Sequence, residues 1–464
     1  MIRLYKNNAF KWNENNNVYT IGYAFYKDKL YKDEKLTELV IELRDSIFTE
    51  INGFTGYFAI VIQQDKKTIL ISDIIRSFPL FYNLNGDVTD DIELLKNDIN
   101  ELSLKELLHA RWVSIDETIY KDVYQIENAQ IVVLQDNKIT KKRYYTYSYI
   151  KDTNYSFEEL DNVLKNITNR MVKYLDGRTA LIPLSGGQDS RLLLYYLKES
   201  GYDKIITYTY GNKKGEEVEV SRKVAEFLNV PWYFIEYTKK NCRKKYNNKK
   251  LFKEILEYFG RGYALPIIQE WEAIDGLFTR NIIDKDCVVL PGFTLDFITG
   301  GHLLFNEFLE ESKIPKKVIR EKIYANNYTL TKYDNNIFNE KLEKKFQINF
   351  DEGDIEAEKA AELYERFDFE ERQAKFINNA VRVYDYYGLK WYLLFWDKEL
   401  IKFWNKVSIK DRFKRKYFLD FVNKKYENLM KYAPVAKKDN TKKKLNIVQK
   451  IYYVFYKYNN HPLN

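Results

Sequence analysis

"LIPLSGGQDSRLLLYYLKESG" (181–201) decides the fold. A short apolar run leads into Ser-Gly-Gly-x-Asp-Ser (185–190), and the leucine-striped "RLLLYYLKES" that follows has the spacing of a helix. Two further apolar runs, "KIITYTY" (204–210) and "WYFIEY" (232–237), enclose a second helical pattern, "EEVEVSRKVAEFLN" (216–229). Strand and helix in alternation call for right-handed crossovers, hence an α/β domain with a doubly wound parallel sheet between helices. Pro183 cannot donate to a ladder, so the first strand is predicted to end there. A loop at the carboxyl end of such a strand is where open α/β sheets bind ligands.

The loop has the composition of an anion site. Gly186 and Gly187 are expected to supply positive φ and close backbone approach, while the free N–H groups of the first helical turn point into the loop. Such a nest favours phosphate. Ser185 and Ser190 offer hydroxyl donors and Asp189 a carboxylate for Mg²⁺. No Gly-Lys-Ser/Thr is present, which excludes the loop that cradles a γ-phosphate for phosphoryl transfer. A glycine turn capped by two serines is the plainer alternative, and the strand-to-helix setting argues against it.

Composition bounds the remaining classes. The 464 residues leave room for two or three domains, and 40 Tyr with 29 Phe supply core volume that only 3 Met do not. No apolar run approaches the roughly 20 residues that span a bilayer, and the first residues lack the apolar segment of a signal peptide, so a cytoplasmic location is expected. Two cysteines, Cys242 and Cys287, exclude a disulfide framework and a Cys-rich zinc site. A net charge of +8 is too small at this length to argue for nucleic acid. It is concentrated in "KKNCRKKYNNKK" (239–250) and in Lys437, Lys438, Lys442, Lys443, Lys444 and Lys450, which read as solvated loops or as attraction to an anionic membrane or a phosphorylated substrate.

Residues 18–150 read as β-rich, with hairpin patterns in "GYFAIVIQQDKKTILISD" (56–73) and "AQIVVLQDNKITKKRYYTY" (129–147). The texture changes near 150–157, which divides the chain into domains 1–152 and 153–464. Beyond 250 it reads as mainly helical, ending in an aromatic piece, "NIVQKIYYVFYKY" (446–458), suited to docking on the body or lying on a membrane.

The Ser-Gly-Gly-x-Asp-Ser segment resembles the pyrophosphate loop of the ATP-pyrophosphatase superfamily, whose members bind ATP there and transfer AMP to a substrate. "DKDCVVLPGFTLDFITGGHL" (284–303) resembles the second acidic motif of asparagine synthetases within that superfamily. Residues 51–82 and 107–145 are similar to the later half of their glutaminase domain, and 371–404 to their C-terminal helical part. The resemblance implies a β-rich, glutaminase-like (Ntn-type) sandwich followed by an ATP-pyrophosphatase domain. It further implies ATP and Mg²⁺. Ser185, Gly186, Gly187, Gln188, Asp189 and Ser190 would hold pyrophosphate, with Asp189 and Asp296 on the metal. Tyr210 and Gly211 would contact adenine, Gly292 would lie beside the adenosine, and Lys437 or Lys438 would stabilise charge as pyrophosphate leaves.

Two departures from the family pattern shape the expected activity. Position 2, where a working glutaminase has its cysteine nucleophile, is Ile2, so no ammonia release from glutamine is expected. The same loss is found in β-lactam synthetases and lasso-peptide cyclases. Phe293 stands where asparagine synthetases have a glutamate and β-lactam synthetases a tyrosine, and it cannot accept a proton. Glu270, Tyr384, Tyr386 and Tyr387 are available instead, unranked by sequence, while His302, after the Gly-Gly pair, reads as facing the cleft or, more commonly for a single His, as structural. The implied function is a ligase that adenylates a small-molecule or sugar-linked carboxylate, such as a uronic acid of a bacterial surface polysaccharide, and couples it to an amine or ammonia. An intramolecular peptide or secondary-metabolite cyclase and an inactive ATP-binding scaffold are the alternatives. Acyl substrate, amine, general base and oligomeric state stay open.

Overall fold

A computed structural model describes residues 1–150, 154–238, 254, 257–260 and 262–436. Cys242, the basic run 239–250, Lys437, Lys438 and the aromatic segment 446–458 lie outside the described residues.

Both expected hairpins form. Thr55–Gln64 pairs antiparallel with Lys67–Ser72, and Gln130–Gln135 with Lys138–Arg143, inside a seven-stranded antiparallel sheet that also holds Val18–Tyr26. Side chains alternate across the strand Thr55–Gln64. Phe58, Ile60 and Ile62 face a small core beneath the helix Glu34–Glu42, whereas Tyr57, Ala59 and Val61 join the main core. A second sheet combines Ile2–Arg3, Val88–Thr89, Phe81–Asn83 and Val123–Gln125, with Ile2 paired to Val88.

The remainder is built on a five-stranded parallel sheet in the order Trp232–Glu236, Ile205–Gly211, Ala180–Pro183, Val288–Val289, Lys390–Trp391. The chain starts at the central strand, winds outward to one edge, then returns to fill the other side. Strand order therefore reverses between Ala180–Pro183 and Val288–Val289, and the loops leaving those two strands carry Ser185–Ser190 and Pro291–Asp296. Ligands of doubly wound sheets bind at this switch point. Pro183 is the last residue of its strand, as its missing N–H requires.

The region beyond 250 is mainly helical, with short strands among the helices. It contributes Val288–Val289 and Lys390–Trp391 to the sheet and forms a hairpin, Lys313–Pro315 with Asp354–Glu356. Two- and three-residue strands are too short to show a period of two. Asp368–Ile377 is wound as a π-helix, a rare form that tends to accompany functional sites.

Both parts share one core. Trp391 stacks on Phe78 with ring centroids 5.6 Å apart and meets Phe10 edge-on at 5.2 Å. The Tyr57 hydroxyl donates to the carbonyl of Leu393, and Lys345 pairs with Glu127 at 3.2 Å. No helix among the described residues is long and apolar enough to cross a membrane.

Candidate active site

The loop 185–190 curls against the first turn of the helix Asp189–Glu199. Ser190 Oγ accepts from the Ser185 N–H at 3.1 Å, and Ser185 Oγ accepts from the Gly187 N–H at 3.2 Å. Neither Gly186 nor Gly187 has a positive φ, which corrects the reason expected for these glycines. Gly186 is needed for space: a Cβ there would lie 2.7 Å from Ala436 Cβ and 3.0 Å from Glu217 Cα. Its carbonyl accepts from the Ala436 N–H at 3.2 Å, so the chain immediately before Lys437 lies on the loop. Gln188 accepts from the Tyr426 hydroxyl at 3.1 Å.

Asp189 and Asp296 meet at the switch point. The Asp296 N–H donates to Asp189 Oδ2 at 3.0 Å, and Arg415 donates to Asp189 Oδ1 at 2.6 Å. Burial raises the Asp189 carboxyl, the Asp296 charge adds to that, and Arg415 opposes it. Burial would also raise Asp296, but His302, Arg415 and Arg372 outweigh it and hold Asp296 below the usual range. His302, for which the sequence left a structural and a cleft-facing place open, faces this cleft. Its Nδ1 is 2.6 Å from Asp368 Oδ2 and its Nε2 is 3.5 Å from Asp296 Oδ2. Burial alone would lower the imidazole; Asp368 and Asp296 overcome it and raise its pKa to about 9.

The two carboxylates are hard oxygen donors side by side, the chemistry Mg²⁺ takes. Among the described residues no group of three or more His, Cys, Asp or Glu is placed to hold a metal unaided. The pair therefore fits Mg²⁺ as a partial set of ligands, with phosphate oxygens and water supplying the rest.

A cleft of about 580 Å³ opens over these groups, within the range of ligand sites. Ser185, Gly187, Gln188, Asp189, Ser190, Tyr210, Gly292, Phe293, Asp296, His302 and Arg415 line it; Gly186 and Gly211 do not. Gly211 closes its strand with φ +133° and accepts from the Tyr237 N–H at 2.8 Å. Gly292 is packed against the loop, since a Cβ there would lie 2.7 Å from both Cα and N of Ser190. Gly292→Ala is expected to push Ser190 out of place and weaken MgATP binding about tenfold, alongside a stability loss of about 1–3 kcal/mol from overpacking. Calorimetric titration and urea unfolding check the two effects, and unchanged MgATP affinity would contradict the first.

The four proton acceptors left unranked by sequence separate clearly. Glu270 lines the cleft and accepts from the hydroxyls of Tyr208 at 2.8 Å and Tyr384 at 2.7 Å. Burial raises its carboxyl above the ordinary range, against the lowering effect of these bonds. Tyr386 donates to Glu254 and Tyr387 to Asp275, neither of which lines the cleft. Sequence reasoning missed Arg372, Gln373 and Arg415 on the lining. Arg415 lies in an ordinary basic run, "KDRFKRKYF", and its left-handed φ of 67° leaves no mark in the sequence.

The description of the queuosine biosynthesis protein QueC family matches residues 179–253. The 7-cyano-7-deazaguanine synthase of Caldicellulosiruptor saccharolyticus is 41% identical over 58 residues, 12% of this chain and 26% of that protein. The microcin J25-processing protein McjC of Escherichia coli is 25% identical over 250 residues, 52% of this chain and 46% of that protein. The argininosuccinate synthase of Brucella anthropi is 26% identical over 138 residues, 28% of this chain and 30% of that protein. The chain thus spans less than half the length of each of these relatives. Among solved structures, a glutamine-dependent NAD(+) synthetase from Cytophaga hutchinsonii aligns at 11% identity over 66% of this chain and 62% of that one, with a TM-score of 0.24, too low to bear on the fold. The matched family model, over residues 179–253, takes in the whole of the switch-point loop 185–190.

Proposed function

We propose that the chain is an ATP-dependent, AMP-forming carbon–nitrogen ligase, with residues 1–152 as a glutaminase-like scaffold and 153–464 as the synthetase. One observation carries this reading: the Ser185–Ser190 loop, the Asp189–Asp296 pair and Glu270 open on a single cleft. In this reading the hydroxyls of Ser185 and Ser190 and the loop N–H groups hold the β- and γ-phosphates of ATP. Asp189 and Asp296 hold Mg²⁺, which when bound neutralises phosphate charge. Tyr210, on the cleft lining, is proposed to contact adenine, with Gly211 next to it at the strand end.

A carboxylate oxygen of the substrate attacks the α-phosphorus, the bond to the β-phosphate breaks, and pyrophosphate leaves an acyl-adenylate. The amine then attacks the acyl carbon, gives up a proton and expels AMP. Lys437 or Lys438 is proposed to stabilise charge as pyrophosphate leaves. Residues 1–150 contain no cysteine, which favours an amine that is not drawn from glutamine within the chain.

Glu270 is proposed as the base that takes the amine proton, a role that needs its ionised form. Because burial raises its pKa, amide formation is expected to fall, as pH drops, at a value above the usual carboxylate range. Glu270→Gln should lower amide formation about 10²–10⁴-fold and spare exchange. Equal losses in both reactions would remove Glu270 from this role.

For the acyl group, a uronic acid of a surface polysaccharide is the proposed substrate. A second reading, cyclisation of one peptide or secondary metabolite, is favoured by the match with the microcin J25-processing protein over half of this chain. Exchange of labelled pyrophosphate into ATP across uronic acids, amino acids and small peptides tests adenylation. A cyclase then completes product without an added amine, whereas an intermolecular ligase stalls. No exchange with any acid, and no MgATP binding, would sink the ligase reading.

A further inference from the structure

Beside the nucleotide cleft, and sharing Tyr210, Gln269, Glu270, Phe293, Arg372 and Ile377 with it, lies a second chamber of about 570 Å³. One wall is apolar, made chiefly by Pro266, Ile267, Ile268, Phe376 and Val383. Two guanidinium groups break that wall. Arg372 projects from the π-helix and pairs with Asp368 at 3.5 Å. Arg111 comes from the N-terminal part, where it caps the helix Glu101–Ala110 in the left-handed conformation at φ 85°.

Arg111 is held from both sides: its N–H donates to Leu107 at 3.0 Å, and its carbonyl accepts from the Leu265 N–H at 2.7 Å. Among the described residues its guanidinium has a single hydrogen bond, to the carbonyl of Asn327 at 3.3 Å, and no carboxylate within ion-pair distance. The chamber's own carboxylate, Glu270, is taken up by Tyr208 and Tyr384. A half-buried charge without a counter-ion is costly, and a left-handed arginine adds backbone strain. Burial and the neighbouring charge of Arg372 pull its pKa down to about 10, the signature of a cation lacking an anionic partner.

We propose that this chamber is the acyl-substrate specificity pocket, and that it selects an acid carrying a second anionic group, a carboxylate or a phosphate, which Arg111 and Arg372 hold while the body of the substrate packs on the apolar wall. Arg111 then makes the N-terminal part a contributor to substrate choice as well as a scaffold. The identity of the occupant as acyl substrate rests on the ligase reading; the anion site does not.

The test pairs acids that differ only in the second group: glutarate with its monomethyl ester, and a uronic acid 1-phosphate with the free uronic acid. Binding to the full-length protein in the presence of MgATP is measured by calorimetry, and pyrophosphate exchange is measured in parallel. Wild type is expected to prefer one or both doubly anionic partners about 10- to 100-fold, the worth of a charge-assisted contact. Which pair shows the preference distinguishes carboxylate from phosphate. Arg111→Gln should abolish it, Arg111→Lys should restore part of it, and MgATP affinity should stay unchanged in both. Arg111-dependent binding without exchange would keep the anion site and remove the ligase reading. A preference that is absent in wild type, survives in Arg111→Gln, or falls together with MgATP affinity overturns the inference.

Discussion

Asp189→Ala and Asp296→Ala each lower carboxylate-dependent exchange of pyrophosphate into ATP by about 10²–10³-fold or more, the range seen when one preorganised electrostatic contact is removed. The geometry explains why neither can stand in for the other. Asp189 Oδ2 is engaged by the Asp296 backbone and Oδ1 by Arg415, so losing Asp189 removes one carboxylate and also frees the guanidinium that neutralised it. Arg415 is held at φ 67° and bonds Thr299 Oγ1 at 2.8 Å, so it stays in the cleft without its Asp189 partner. Asp189→Ala is therefore expected to retain MgATP affinity better than Asp296→Ala, because Arg415 can turn to the phosphates. Asp296→Ala instead leaves His302 paired with Asp368 alone. Exchange that persists in both variants would show that these carboxylates do not hold the metal for adenylation.

The largest expected effect on stability lies beneath the same site. Glu365 and Arg412 are both fully buried and pair at 2.7 Å. Glu365 Oε2 also accepts from the hydroxyls of Tyr147 at 3.0 Å and Tyr149 at 2.7 Å. Glu365→Ala leaves the Arg412 charge and two tyrosine hydroxyls without their acceptor in the interior, at a cost of about 3–5 kcal/mol. The damage should reach the active site. The carbonyl of Arg412 packs where a Cβ on Gly300 would come within 2.2 Å, and the chain reaches Arg415 three residues later. Urea unfolding of Glu365→Ala, Arg412→Met and the pair Glu365→Leu with Arg412→Met measures this. The double variant should recover much of the loss, since a matched apolar pair leaves no buried charge. A single variant costing under about 1 kcal/mol would show that the pair is not holding this layer together.

Four features were legible in the sequence because each depends on near neighbours. The central strand, its glycine-serine loop and the following helix are written in about twenty consecutive residues, and both hairpins show their alternation directly. Pro183 marks its own strand end through the donor it lacks. Asp189 and Asp296 could be singled out because each sits in a short local motif.

The rest was decided by residues far apart in the chain. Gly186 and Gly292 are glycines because of Ala436, Glu217 and Ser190, which only folding brings against them. Lys390–Trp391 is a strand because Val288–Val289 offers it an edge, since two residues have no periodicity of their own. Glu270 stands apart from the three tyrosines through its place at the mouth of two chambers, and His302 through the carboxylates on either side of it. Arg111 lies 261 positions before Arg372 and shares a cavity with it. By itself the sequence determined the parallel sheet and the glycine-serine loop at the end of its central strand, because those follow from hydrogen-bond geometry and spacing along the chain. Which charges are buried and which are paired was settled by tertiary structure alone, because burial and Coulomb energy depend on distance through space.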